Sequence, residues 1–132
     1  MAVRAAGAGL KVLFVQFIKG MVYSEIAAMR TLSDKIAVKQ YGRGCFIEGG
    51  PCREDIDAAE RGLAETKLAL SQGAYDVVIL DEANIAIQLE LFGVERLVEL
   101  IACKPPNVEL VVTGRYAHPF VLDCADVVTE MK

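Results

Sequence analysis

The chain has 132 residues, 54% of them hydrophobic, with a net charge of −4 and a pI near 5.0. This length fits a single domain with a sizeable core, and the acidic balance without a basic run argues against nucleic acid as a partner. No apolar run approaches the ~18 residues needed to cross a bilayer, so we expect no membrane partner. The hydrophobic surplus instead predicts either faces that are hidden in a homo-oligomer or a surface that is normally covered by further chain.

The cysteine and histidine content argues against a metal site built on these residues. The four cysteines include no CxxC pair, and the chain has one histidine, so no disulfide framework is indicated either. The N-terminus carries Arg4 but no sustained apolar segment before Lys11, and we therefore predict no signal peptide. A reducing cytoplasm is the simplest setting for such a chain.

The pattern of apolar residues predicts strands that alternate with helices. Strands are predicted at 11–18, 35–41, 77–80, 108–113 and 126–131, and helices at 1–10, 21–31, 54–72, 83–92, 94–103 and 120–125. Alternation of this kind gives a mostly parallel, doubly wound α/β sheet. We therefore predict one α/β domain over residues 1–132.

Polar residues at the carboxyl end of the first strand are the first candidates for binding. Gln16 interrupts the apolar run, and Lys19 with Gly20 closes it. In open α/β sheets, ligands bind at the carboxyl ends of the strands, where these side chains would reach an anion or a base. The alternative is a strand end that turns into solvent.

Residues 42–53 form the least regular stretch, with four glycines and a proline around the apolar Cys45, Phe46 and Ile47. Mobile backbone beside apolar side chains suits a loop that closes over a flat ligand. The alternative is an ordinary connection with Phe46 in the core.

The segment Tyr75–Glu82 (YDVVILDE) is the centre of the pattern. Its unbroken apolar run predicts a strand buried on both faces, the usual situation in a parallel sheet. Asp81 and Glu82 follow at its carboxyl end, where adjacent carboxylates either hold a hydrated Mg²⁺ on a nucleotide or orient a water. Alternatively, Asp81 caps the next helix and Glu82 lies in its first turn.

Two residues after the strand at 108–113 also carry polar chemistry. Arg115 lies just past the strand end, where it would either stabilise phosphate charge or pair with a surface acid. His118 precedes Pro119 without a second histidine or a nucleophile nearby in the sequence. A capping or surface role for His118 is therefore favoured over catalysis.

Several local motifs occur in the order found in one known family. They are RAAGAGLKVLFVQFIKG (4–20), Ser24 with Glu25, GRGCFIEG (42–49), YDVVILDEAN (75–84), ELVVTGRYA (109–117) and ADVVTEMK (125–132). On these motifs, which cover nearly the whole chain, the protein resembles the corrinoid adenosyltransferases of the P-loop NTPase superfamily. The resemblance implies the three-layer, mostly parallel, RecA-like sheet of that superfamily.

The resemblance also implies a reaction and its ligands. The Co(I) of a reduced corrinoid, cobalamin or a precursor, attacks the 5′ carbon of ATP and triphosphate leaves, in adenosylcobalamin biosynthesis or salvage. The implied nucleotide and Mg²⁺ residues are Asp81, Glu82, Gln16, Lys19, Thr113 and Arg115, with Mg²⁺ itself at Glu82 and Asp81. The implied corrinoid residues are Cys45, Phe46, Ile47, Glu25 and Asn84. Relatives of this type are commonly homodimers.

Two features of the family pattern are not found. The family normally begins with a strand and a phosphate loop of the form GxxxxGKT, and this motif does not occur in the 132 residues. The family also continues beyond VTEMK. We therefore expect a member without both segments, with a strand missing from the middle of the sheet and no turnover by this polypeptide alone. The alternative function is a non-catalytic relative that binds a corrinoid or a nucleotide.

Overall fold

The computed structural model describes residues 2–17, 35–41 and 53–130. Its elements are α1 (Ala2–Gly7), β1 (Val12–Gln16), β2 (Ile36–Gln40), α2 (Arg53–Gln72), β3 (Val77–Asp81), α3 (Ala83–Gln88), α4 (Val94–Ala102), β4 (Glu109–Val112) and α5 (Pro119–Cys124). Every predicted strand up to residue 113 is confirmed. The predicted helices in these ranges are confirmed as well, although α3 is shorter than expected. None of the helices in these ranges combines the length and apolar character that crossing a membrane requires.

The four described strands form one all-parallel sheet in the order β2-β1-β3-β4. The register aligns Gln16 at the end of β1 with Gln40 on one side and with Asp81 on the other. The predicted parallel α/β sheet is therefore confirmed. Among the four described strands the sheet has no gap, because each is hydrogen-bonded directly to its neighbour and the apolar β1 has a partner on both edges. The expectation of a missing strand elsewhere in the sheet stays a prediction.

Helices cover both faces of the sheet, which gives three layers. Because side chains alternate between the faces of a strand, each strand supplies two cores. The larger core packs Leu13, Val15, Val78 and Leu80 against apolar residues of α2, α3, α4 and α5. The smaller core groups Val12, Ile36, Val77 and Ile79 on the other face, where Ala5 of α1 packs against them.

The predicted strand at 126–131 is wrong for the residues that the structure describes. Residues 125–130 form no strand, and the side chains of Val127 and Val128 are 81% and 58% exposed. The apolar pair suggested a buried strand, but a strand also needs a neighbouring edge to hydrogen-bond with. After α5 ends at Cys124, the chain runs along the surface instead.

A glycine allows α2 to approach the end of β1 closely. Gly62 is buried, and a Cβ atom there would lie 2.9 Å from Phe17 Cε1 and 2.9 Å from Tyr41 Cδ2. The two rings stack with their centroids 6.3 Å apart, and Phe17 also meets the edge of Phe92. Because three aromatic rings pack together here, the neighbours of Gly62 have little room to move.

We expect Gly62→Ala to destabilise the fold by up to about 2 kcal/mol. Alanine gains about 1 kcal/mol of helix propensity over glycine, but overpacking a dense core costs about 1–3 kcal/mol. The free energy of unfolding in urea measures the outcome. Gly7→Ala is the matched control, because a Cβ at Gly7 meets nothing within 4 Å. A Gly62→Ala variant that is more stable than the wild type would contradict the close packing.

Tyr41, next to this contact, has a pKa that depends on the fold. Its hydroxyl donates to the carboxylate of Glu65 on α2. Burial first, and then Glu65, raise the pKa of Tyr41 well above its ordinary value of 10.0, while Arg61 lowers it. The native protein therefore holds a proton that the unfolded chain releases at high pH. The contribution of Tyr41 to stability is full below pH 10 and falls as the pH rises above that value.

We expect Tyr41→Phe to remove this loss of stability at high pH. At neutral pH the wild type is more stable by about 1 kcal/mol, the typical worth of a side-chain hydrogen bond, and the difference shrinks above pH 10. Urea denaturation at pH 8 and pH 11 measures it. Glu65→Gln retains the burial of Tyr41 but removes the carboxylate charge, so its alkaline loss is expected to be intermediate. Parallel pH curves for wild type and Tyr41→Phe would show that Tyr41 is not the titrating group.

Candidate functional site

A polar residue lies at the carboxyl end of each of the four described strands, and these ends share one edge of the sheet. These residues are Gln40 on β2, Gln16 on β1, Asp81 on β3 and, directly after β4, Thr113. Since the strands are parallel, their carboxyl ends meet at one edge, which is where doubly wound sheets bind ligands. The register places Gln16 between Gln40 and Asp81. The edge is therefore the candidate site.

Hydrogen bonds join these side chains into a continuous row centred on Asp81. Gln40 Nε2 donates to Gln16 Oε1 at 3.0 Å, and Gln16 Nε2 donates to Asp81 Oδ2 at 3.0 Å. From the other side, Thr113 Oγ1 donates to Asp81 Oδ1 at 3.0 Å. The backbone N–H of Glu82 donates to Thr113 Oγ1 at 3.2 Å. Both carboxylate oxygens of Asp81 are thereby fixed in direction.

Asp81 does not cap the following helix. The N-cap position of α3 is Glu82, and no side chain makes a capping hydrogen bond there. The Asp81 carboxylate is instead turned along the sheet edge, toward Gln16 and Thr113. The helix-cap alternative for Asp81 is therefore wrong, and its place in the row favours a role at the sheet edge.

The backbone of Glu82 is held in a strained conformation. Its φ of 61° and ψ of 22° lie in the left-handed region, which costs a residue with a Cβ atom about 1 kcal/mol or more. Within the described residues, its carboxylate makes no hydrogen bond or ion pair, although the side chain is half-buried. Strain at a residue with an unengaged charge is a feature of functional sites.

Asn84 connects the start of α3 to the turn after β4. Its backbone N–H donates to Thr113 O and its Nδ2 to Gly114 O, both at 3.3 Å. Gly114 has a φ of +124°, and a Cβ atom there would lie 3.2 Å from Asn84 Cβ, so the approach requires glycine. Asn84 is buried at 5% exposure, and its Oδ1 has no hydrogen-bond partner among the residues that the structure describes. The contact holds Thr113 and Gly114 against the acidic turn.

Of the remaining predicted site residues, one lies in the described part of the chain and five lie outside it. Arg115 is exposed and makes no ion pair within the described part of the chain, so its role in phosphate binding stays a prediction. Lys19, Glu25, Cys45, Phe46 and Ile47 lie outside the described residues, and their roles stay predictions too. His118 caps α5: Phe120 N–H donates to its Nδ1 at 3.1 Å, which confirms the capping role.

Gln40 is the site residue that the sequence interpretation missed. The apolar pattern predicts the strand at 35–41, but it does not single out Gln40 as a site residue. The available signal was its place at the carboxyl end of a strand, the same feature that drew attention to Gln16. Strand order, which the sequence does not state, is what makes the two glutamines neighbours.

The donors at this edge fit Mg²⁺ bound together with a nucleotide. Within the described residues, no three His, Cys, Asp or Glu side chains form a group that would hold a metal ion by themselves. Asp81 and Glu82 supply two adjacent carboxylates. Mg²⁺ is typically bound by one or two carboxylates together with waters and the phosphates of a substrate. The residues therefore suit Mg²⁺ that arrives with phosphate.

The fold and this edge define a doubly wound α/β protein with an acidic pair at its ligand-binding edge. Comparison with known families shows to which family of such proteins the chain belongs. The family model described as ATP:corrinoid adenosyltransferase BtuR/CobO/CobP matches residues 1–132, and the chain belongs to this family. The resemblance seen in the sequence motifs is thereby confirmed.

Individual relatives agree with the family match. The chain is 36% identical over 132 residues to a corrinoid adenosyltransferase of Pseudomonas aeruginosa, an alignment that covers 99% of this chain and 65% of the relative. It is 33% identical to an uncharacterized protein of Nostoc, with 98% and 38% covered, and 29% identical to a corrinoid adenosyltransferase of Sinorhizobium, with 100% and 63% covered. The chain thus spans less than two thirds of the length of each of these relatives.

Proposed function

We propose that this chain takes part in ATP:corrinoid adenosyl transfer and that its carboxyl edge binds Mg²⁺-ATP beside the corrinoid. The observation that carries the proposal is the hydrogen-bonded row that holds Asp81 next to the strained Glu82. The family description and the two relatives named corrinoid adenosyltransferases support it. The proposed reaction therefore combines a nucleotide with a reduced corrinoid.

In the proposed reaction, the electron pair of Co(I) in the reduced corrinoid forms a bond to the 5′ carbon of ATP. The bond between this carbon and the triphosphate oxygen breaks, and triphosphate leaves with its electron pair. The products are an adenosylated corrinoid, with cobalt formally oxidised to Co(III), and free triphosphate. The protein must therefore stabilise negative charge on the leaving group and exclude water from the cobalt.

We assign the acidic pair to the Mg²⁺ that accompanies the phosphates of the nucleotide. Asp81 and Glu82 would hold Mg²⁺, which when bound neutralises charge on the triphosphate. Gln16 and Thr113 orient Asp81 through the hydrogen bonds at 3.0 Å described above. Asn84 keeps the turn after β4 in place, so that Thr113 stays within reach of Asp81.

Cations and apolar residues complete the proposal. Lys19 and Arg115 would pair with phosphate oxygens, since Lys and Arg side chains stabilise phosphate charge. Cys45, Phe46 and Ile47 would cover the corrinoid, with Glu25 and Asn84 beside it. Assembly as a homodimer and residence in the cytoplasm stay predictions.

The test is a direct assay of the chain with ATP, Mg²⁺ and chemically reduced cobalamin, followed by the absorbance spectrum of adenosylcobalamin. Formation of the product that depends on both ATP and Mg²⁺ is the expected result for the family reaction. Calorimetric titration with ATP and with cobalamin, each added alone, measures binding in the same preparation. A folded chain that binds neither ligand would contradict the proposal.

A binding function without turnover is the second candidate. It is the alternative to the family reaction, and the same assay separates the two. Corrinoid or nucleotide binding by a folded chain that forms no product would support this candidate. Product formation would exclude it.

A further inference from the structure

The direction of every hydrogen bond in the row is set by the chemistry of Asp81. A carboxylate only accepts hydrogen bonds, so the Gln16 amide must turn its NH₂ group toward Asp81. Gln16 Oε1 then faces Gln40, which must present its own NH₂ group. On the other side, the Thr113 hydroxyl donates to Asp81 and accepts from the Glu82 N–H. Gln40 is therefore the donor that permits the required orientation of Gln16.

Gln16 has no good alternative orientation without the Gln40 donor. Its side chain is 1% exposed, so water does not replace a lost partner. If Gln16 keeps its NH₂ toward Asp81, its Oε1 is buried and loses the partner shown here, at a cost of about 1–3 kcal/mol. If the amide flips, its oxygen faces the carboxylate of Asp81, and two acceptors repel each other. Either result loosens the position of the Asp81 carboxylate.

We propose that Gln40 is a positioning residue, which fixes the Gln16 amide and through it the direction of the Asp81 carboxylate. The inference about Asp81 as a cation ligand rests on the proposed function, whereas the orientation of Gln16 rests on the hydrogen bonds alone. Partners one step removed from metal ligands typically change metal affinity 10–100-fold when they are lost. Gln16 belongs to this class, and Gln40 acts through it from one step further out, since β1 lies between β2 and β3, the strand that carries Asp81. We therefore expect the lower end of this range for Gln40.

Four variants separate the loss of the donor from other effects. Gln40→Met removes the donor without adding charge, and Gln40→Glu replaces it with an acceptor. Gln40→Lys retains a donor and should behave as the wild type does. Lys39→Gln is the matched charge control, because it lowers the net charge by one, as Gln40→Glu does, at an exposed neighbour outside the row.

The first readout is nuclear magnetic resonance of the Gln16 side-chain amide in the full chain without ligand. In the wild type we expect its NH₂ protons to be protected from solvent exchange and to show contacts to the side chain of Asp81. In Gln40→Met and Gln40→Glu we expect at least tenfold faster exchange and weaker contacts to Asp81. Unchanged exchange and contacts in both variants would overturn the proposal.

The second readout is binding of Mn²⁺-ATP, followed by electron paramagnetic resonance of Mn²⁺ as a probe for Mg²⁺. We expect about tenfold weaker binding in Gln40→Met and Gln40→Glu, with Gln40→Lys and Lys39→Gln close to the wild type. A disturbed Gln16 amide with unchanged Mn²⁺-ATP binding would reduce Gln40 to a structural residue and overturn the positioning role. A wild type that does not bind Mn²⁺-ATP would contradict the proposed function, and the amide readout alone would then decide whether Gln40 orients Gln16.

Discussion

Replacing Asp81 with alanine is expected to destabilise the protein and to remove Mg²⁺-ATP binding together. The carboxylate accepts hydrogen bonds from Gln16 Nε2 and Thr113 Oγ1. Without it, the buried Gln16 amide loses its acceptor, which costs about 1–3 kcal/mol. Loss of a carboxylate that holds the cation should weaken Mn²⁺-ATP binding by about 100-fold or more. Urea denaturation and a Mn²⁺-ATP titration measure the two effects in one preparation.

Asp76→Ala is the matched control for this prediction. Asp76 precedes β3, at the end opposite Asp81, and its exposed carboxylate accepts from the Lys11 N–H at 2.9 Å. The control removes the same side chain and the same charge, away from the carboxyl edge. We expect less than about 1 kcal/mol of destabilisation and wild-type nucleotide binding. Equal losses of binding in Asp76→Ala and Asp81→Ala would show that charge, and not the hydrogen-bonded row, controls the site.

The sequence predicts the parts of this site that depend on one strand at a time. The apolar run of Val77–Leu80 identifies a strand buried on both faces, and the acids that follow it must lie at its carboxyl end. The same argument placed Gln16 and Thr113 at strand ends. These positions follow from local pattern and from the direction of the chain, which is why the structure confirms them.

Contacts between residues on different strands could not be predicted from the sequence in this way. The partnership of Gln40 with Gln16 depends on which strands are neighbours and on their register, and neither is written in the local pattern. The failed strand at 126–131 has the same cause, since its two valines match a strand while no edge pairs with residues 125–130. The choice between cap and edge for Asp81 also required its partners on β1 and after β4.

The left-handed backbone at Glu82 could not be predicted either, because nothing in the residues LDEAN requires a positive φ at a glutamate. Its φ of 61° and ψ of 22° occupy a region where glycine carries no penalty. A strained residue that keeps its carboxylate at the sheet edge indicates that the side chain is retained for a reason other than stability. Stability and function should therefore respond in opposite directions when Glu82 is replaced by glycine.

We expect Glu82→Gly to be more stable than Glu82→Ala by about 1 kcal/mol, although both variants lose Mn²⁺-ATP binding. Alanine retains the strain of the left-handed conformation, which glycine relieves, and the two substitutions remove the carboxylate equally. Midpoints of urea denaturation compare the stabilities, and the Mn²⁺-ATP titration compares binding.

Glu90 provides the control, because it is an exposed glutamate with nearly the same φ, 60°, beyond the end of α3. Glu90→Gly should likewise exceed Glu90→Ala in stability, since the backbone argument is the same at both positions. Both Glu90 variants should bind Mn²⁺-ATP as the wild type does, because this glutamate is not part of the hydrogen-bonded row. Wild-type binding by Glu82→Gly would mean that the backbone conformation of the turn, and not the carboxylate of Glu82, is what the site requires.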